Sequence, residues 1–293
     1  MRKKKTEPTG EIKRRSLAGE VVIRFVRNKT AMFGLILLLV IVLACLLAPV
    51  IAPYGLDDQD VSIKLQAPSL EHIFGTDYLG RDVFTRILYG GRNTLLVGFV
   101  AAGFGGLFGM VIGSISGYFG GKTDTVIMRI LDIFMSIPNL VLAICLSAVL
   151  GTGVVSCLIA VGISSIPSFA RTMRGPILSI KTQEYIEAAR SIDAPTTRII
   201  FRHVVINALS PFIVQLTLEI ARAITVCASL SFMGIGIVPP AAEWGSMLSE
   251  ARSYVVSNPL QCVWPGLAIA LVVIALNFFG DGLRDAMDPR LKN

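Results

Sequence analysis

Histidine and tryptophan are scarce in this 293-residue chain, with two of each, and only 16% of its residues carry charge. The two histidines, His72 and His203, fall on opposite faces of a membrane in the topology read below, so they are not expected to form one catalytic or metal site. Five cysteines occur without a CxxC pair and without histidine neighbours, so neither a zinc site nor a disulfide framework is expected. Cys45, Cys145, Cys157 and Cys227 sit in apolar runs and read as small core residues; Cys262, at the edge of a run, is the accessible one. A phosphate-binding loop is missing as well. Gly120-Gly121-Lys122-Thr123 ends like one, but Ser116 stands where the first glycine belongs and no soluble strand precedes it. Uphill transport by such a chain would need an outside energy source, and no cofactor is expected in the chain itself.

Apolar residues are abundant, at 53% with a mean hydropathy of +0.69, as in a polytopic membrane protein. Six runs are long enough to cross about 30 Å of hydrocarbon as helices: 32–52, 94–118, 125–150, 154–170, 208–233 and 263–282. The first follows a long polar stretch and exceeds the core of a cleavable signal, so it is expected to be a retained span. The fold class is therefore all-α, with about six transmembrane helices.

The net charge of +7 does not gather on one aromatic-interleaved surface, so nucleic acid is not an expected partner. It does sort by loop. With the N-terminus cytoplasmic, 21 of the 27 Lys and Arg fall in inner segments, five in outer ones, and Arg222 lies within a span. That asymmetry predicts both termini inside. The expected organisation is a basic cytoplasmic tail (1–31), a first span (32–52), an extracytoplasmic segment (53–93), a five-helix core (94–282) with a cytoplasmic loop at 171–207, and a cytoplasmic tail (283–293).

The outer 53–93 segment is too long for a bare connection and is expected to be ordered. A second outer segment, 234–262, carries Trp244 and three prolines, and is expected on the membrane surface with aromatic anchoring. Glycines at 105, 109, 113, 117 and 121 recur every fourth residue and predict close helix packing on one face. Pro138, Pro167 and Pro211 predict kinks. Glu219 and Arg222 lie three apart deep in the fifth span, where unpaired charge is costly, and are expected to pair inside the bundle. They are the candidate pathway-lining residues, against a purely structural ion pair. Arg129 and Asp132 repeat the spacing and read as structural.

In the longest inner loop the pattern is helical over 183–192, broken at 193–195 and helical again, which predicts two short helices at the membrane surface. Tyr185-Ile186-Glu187-Ala188-Ala189-Arg190, followed by Arg198-Ile199-Ile200-Phe201-Arg202-His203, resembles the EAA loop of ABC importer permeases. Further segments are similar to the second subunit type of the dipeptide, oligopeptide and nickel permeases. They include Phe74-Gly75-Thr76-Asp77 with Gly80-Arg81-Asp82, Gly117-Tyr118-Phe119-Gly120-Gly121, Leu230-Ser231-Phe232-Met233-Gly234, Glu243-Trp244-Gly245, and Gly280-Asp281-Gly282-Leu283-Arg284-Asp285 with Asp288-Pro289-Arg290-Leu291.

The resemblance implies a type I importer permease fold in a bacterial inner membrane. It implies a second homologous permease subunit, two cytoplasmic ATP-binding subunits and an extracytoplasmic solute-binding protein as partners. It also implies that Tyr185, Glu187, Ala188, Ala189, Arg190, Asp193 and Arg198 couple the chain to the ATPases, and that the cargo is a short peptide, a metal chelate or a related solute. The chain departs from the family at Asp193, where glycine is usual, at Val205-Ile206, where Leu-Pro is usual, and at Ala242, where proline is usual. An ion-driven secondary transporter and a membrane scaffold are the rival readings.

Overall fold

A computed structural model describes residues 17–288; the basic residues of 2–15 and the Pro289-Arg290-Leu291 end of the last motif lie outside the described residues. Helix α1 (Leu17–Arg27) seats Phe25 edge-on against Phe279 at 5.4 Å. Asn28 separates it from α2 (Lys29–Leu46), its side chain accepting from the Thr30 and Ala31 amides as an N-cap. A short turn, α3 (Ala48–Ile51), leads into the irregular 52–82 segment, which holds no strand beyond one Thr76–Asp82 bridge.

Helix α4 (Val83–Phe119) begins at Val83, well before the span expected from hydropathy at Thr94. The reason is a cap: the Asp82 carboxylate accepts from the Thr85 amide at 2.7 Å and starts the helix in a polar stretch that hydropathy does not register. Helices α5 (Gly121–Ser136) and α6 (Asn139–Leu150) replace the single kinked third span of the sequence reading, meeting at 89°. Pro138 holds Ile137 out of the helical region (φ −90°, ψ 128°), as a proline does to the residue before it, so the chain breaks rather than kinks.

Helix α7 (Val154–Ile180) contains Pro167 and Pro176 and runs ten residues past the expected end at Ala170. After it come α8 (Glu184–Ser191), the single turn α9 (Thr196–Arg198) and a π-helix (Ile199–Val205). Helix α10 (Leu209–Phe232) carries Pro211 in its first turn, just after the turn at Ala208, where the missing N–H leaves no intrahelical bond unmade. Helices α11 (Trp244–Ala251) and α12 (Leu260–Met287) complete the chain. Among the described residues five helices are long and apolar enough to span a membrane, and the α5–α6 pair makes a sixth crossing when counted as one bent span.

The bundle is organised on α4 and α7. Gly109, Gly113 and Gly117 let the α7 backbone come close: a Cβ at Gly113 would fall on the Ala170 carbonyl, and one at Gly117 would lie 2.8 Å from Ile177. The expected glycine face is thus a helix contact, except at Gly121, which has open space around it. Helix α10 packs against α4, α7 and α12, its buried Ile224 and Leu230 joining clusters with Val97, Trp244 and Leu276. Trp244 is a core residue, not a membrane-surface anchor: it is buried, and its Nε1–H donates to the Ile87 carbonyl at 2.9 Å. The reading of four cysteines as core fails at Cys145, which is exposed, while Cys157 and Cys227 touch at 3.4 Å in the core.

Candidate functional site

At one end of the bundle, α8 is held by a single apolar peg. Ile186 is 0% exposed among Ile199, Ile200, Val204 and Val205 of the π-helix, a burial worth roughly 1.5–3 kcal/mol. Glu187, Ala188 and Arg190 therefore face outward, Ala189 is half-buried, and Tyr185 is exposed with its hydroxyl accepting from Asn207 Nδ2 at 3.3 Å. Exposed Ile192 and Phe201, which the sequence did not single out, extend this surface, as do Arg198 and Arg202. Large exposed apolar side chains ringed by charge are a feature of surfaces that meet a protein or a membrane.

The break after α8 needs one left-handed residue, and Asp193 supplies it at φ 52° while its amide donates to the Arg190 carbonyl. Aspartate tolerates this region at a cost that glycine avoids. Asp193→Gly is thus expected to leave the loop at least as stable as in the parent, and Asp193→Val to reduce its stability by about 1–2 kcal/mol, read as faster limited proteolysis between α8 and the π-helix.

The same end is clamped to the bundle. Lys181 Nζ donates to the Gly117 carbonyl at 2.8 Å, and Arg174 forks onto the Asp124 carboxylate with both contacts at 2.5 Å. Arg190 lies over the Tyr118 ring at 5.3 Å, within reach of a cation–π contact. Displacement of α8 therefore meets the α4–α5 turn directly. That turn is built on Gly120-Gly121-Lys122-Thr123, the stretch that ends like a phosphate loop.

Midway along α10, Arg222 Nη1 donates to Glu219 Oε2 at 2.9 Å, as the spacing predicts. The two do not share one environment: the Glu219 side chain is 2% exposed, whereas that of Arg222 is 51% exposed. Helical phase puts Gln215, Thr225 and Ser229 on the same open face, below the exposed Phe232. The Thr225 and Ser229 hydroxyls donate back to Ala221 and Thr225 carbonyls, and Gln215 Nε2 donates to Ser168 Oγ. A guanidinium near the middle of a span costs roughly 2.5–3.5 kcal/mol against lipid, so this face requires water or a partner. Below it a cavity of about 420 Å³ opens between α7, α10 and α12, lined by Gln215, Leu218, Arg284 and Asp288 among others. Asp132, expected beside Arg129, instead pairs with Arg171 of α7 at 2.5 Å.

At the opposite end, buried charges that no spacing in the sequence disclosed tie the 52–82 segment to α11. Asp77 Oδ2 accepts from Arg81 Nε at 2.6 Å and from Arg86 Nη1 at 3.0 Å; Glu250 takes the other edges of both guanidinium groups, at 3.1 and 2.9 Å. Burial opposes the Arg81 charge, but Asp77 and Glu250 outweigh it and hold the guanidinium above the ordinary arginine range. Burial and the Glu250 carboxylate push the Tyr78 hydroxyl up, keeping it a donor to Glu250 Oε1 at 3.1 Å. His72 Nδ1 lies 3.0 Å from the capping Asp82, and its ring stacks on Tyr54 at 4.7 Å.

Known proteins with these features were found by sequence and by shape. Residues 109–293 match the family model for the binding-protein-dependent transport system inner membrane component, and residues 16–68 match that for the N-terminal TM domain of oligopeptide transport permease C. The dipeptide transport system permease protein DppC of Alkalihalophilus pseudofirmus is 43% identical over 267 residues, covering 91% of this chain and 88% of its own. The glutathione transport system permease protein GsiD of Escherichia coli is 44% identical over 270 residues, covering 92% and 89%. A chain of the MetNI methionine ABC transporter, solved in inward-facing conformations, superposes with a TM-score of 0.58 at 20% identity, covering 69% of this chain and 96% of that one.

Proposed function

The chain belongs to the family of binding-protein-dependent transport system inner membrane components, and from that premise we propose that it forms half of the translocation pathway of an ATP-driven importer of short peptides or glutathione-like solutes. In this reading a second homologous permease supplies the other half of the pore. Two cytoplasmic ATP-binding subunits perform the hydrolysis, and an extracytoplasmic solute-binding protein delivers cargo at the α11 end. Both termini and α8 face the cytoplasm of a bacterial inner membrane.

The observation that carries the reading is α8: a short helix anchored by buried Ile186, offering Tyr185, Glu187 and Ala188 outward, with Arg190 over the Tyr118 ring of α4, beside an α7 end that Lys181 and Arg174 fasten to the α4–α5 turn. Closure of the ATPases would press on α8, and these contacts would pass the push to α4, α5 and α7 as a rigid-body rock of the spans. Glu187, Arg190 and exposed Arg198 are the polar contacts of that interface, Ala188 and Ala189 its close-approach surface, and Asp193 forms the turn behind it.

Uptake into right-side-out vesicles, or into proteoliposomes with ATP enclosed and the solute-binding protein outside, tests this for the assembled complex. The expected result is accumulation that requires ATP and ignores an imposed proton gradient. Accumulation that follows the proton gradient without ATP would replace the reading with an ion-driven one.

A further inference from the structure

We infer that the open face of α10 is a cationic filter, which admits carboxylate-bearing solutes and turns away free metal cations. The inference rests on the reading of that face as pathway and adds the charge class of the cargo.

The asymmetry of one ion pair carries it. Glu219 is 2% exposed and spends a carboxylate oxygen on Arg222, whereas the Arg222 side chain stands 51% exposed on the open face, so a solute meets only the positive end of the pair. A guanidinium is also the side chain best matched to a carboxylate, with planar paired donors. The open-face neighbours Gln215, Thr225 and Ser229 are neutral, and none supplies the hard anionic oxygens that a divalent cation needs. Asp132, the exposed carboxylate of α5, is held by Arg171. The cavity below is lined by one residue of each sign, Arg284 and Asp288, and so leaves Arg222 as the charge that the open face itself presents.

The field at this face can be measured without knowing the cargo. Thr225→Cys lies one turn from Arg222 on the same face. In the assembled complex, with Cys145 and Cys262 replaced by serine, its modification by a sulfonate-bearing and a trimethylammonium-bearing methanethiosulfonate is compared, each rate divided by that for a free thiol. The expected result is a preference of roughly tenfold for the anionic reagent, from a single charge several ångströms away. Arg222→Lys should keep that preference and Arg222→Gln should abolish it; Ser229→Cys gives a second reporter.

Equal normalised rates would overturn the charge filter while leaving the pathway reading intact. Failure of both reagents to reach either cysteine would show the face covered by lipid or a partner, and would overturn the filter and the pathway reading together.

Discussion

Replacing Glu250 with alanine is expected to cost the folded chain about 3–5 kcal/mol, the usual penalty for stranding one side of a buried ion pair. Two guanidinium groups, those of Arg81 and Arg86, depend on that carboxylate, and both are nearly inaccessible to water. Asp77 would be left to neutralise both alone. Thermal unfolding of the purified complex should show the loss as a drop in midpoint on the order of 10 °C. Tyr78→Phe removes one hydrogen bond to the same carboxylate and should cost only about 0.5–1.5 kcal/mol. Similar losses for the two variants would mean that the cluster is not the tie between α11 and the 52–82 segment.

Gly113→Leu should be more damaging still, because the obstacle is backbone. A Cβ at this position meets the carbonyl and Cα of Ala170, neither of which can rotate aside, so α4 and α7 must separate. That contact is the most extensive between any two helices of the chain, and its loss would expose a seam of small residues along both. The expected outcome is little or no assembled complex in the membrane, scored by co-purification of partner subunits. Gly103→Leu, on a face with open space around it, should assemble normally. Normal assembly of Gly113→Leu would show that the seam is loose.

Much of this architecture is legible in the sequence because lipid imposes simple rules on it. Runs of about 20 apolar residues name the spans, a four-residue glycine period names the α4–α7 seam, and the α8 loop stands out as the longest polar stretch between spans. Pro138 was visible as an interruption, but whether a proline kinks a helix or ends it depends on what accepts the freed carbonyls, which is tertiary information. The start of α4 at Val83 hides for a related reason: a side-chain cap at Asp82 begins the helix before its residues turn apolar.

The parts of the site that stayed hidden are those made across sequence distance. Nothing local associates Asp77 with Glu250, or Asp132 with Arg171, and the nearer Arg129 was the wrong partner. Likewise the spacing of Glu219 and Arg222 foretold the pair but not its orientation. Helical phase relative to α4, α7 and α12 buries one and leaves the other open. The sequence placed Ile186 on a short surface helix but did not distinguish it from Ile192; only the π-helix beside it shows that Ile186 is buried and Ile192 is exposed.

Coupling through α8 is tested most directly by measuring ATP hydrolysis and solute uptake together in reconstituted complexes carrying Glu187→Ala or Ala188→Asp. Both side chains are exposed, so folding and membrane insertion of the chain should be unaffected. A charge forced into a close helix contact should cost at least 1.4 kcal/mol, hence a tenfold or greater fall in uptake for Ala188→Asp, with hydrolysis no longer stimulated by loaded binding protein. Uptake and stimulation equal to the parent in both variants would contradict the account.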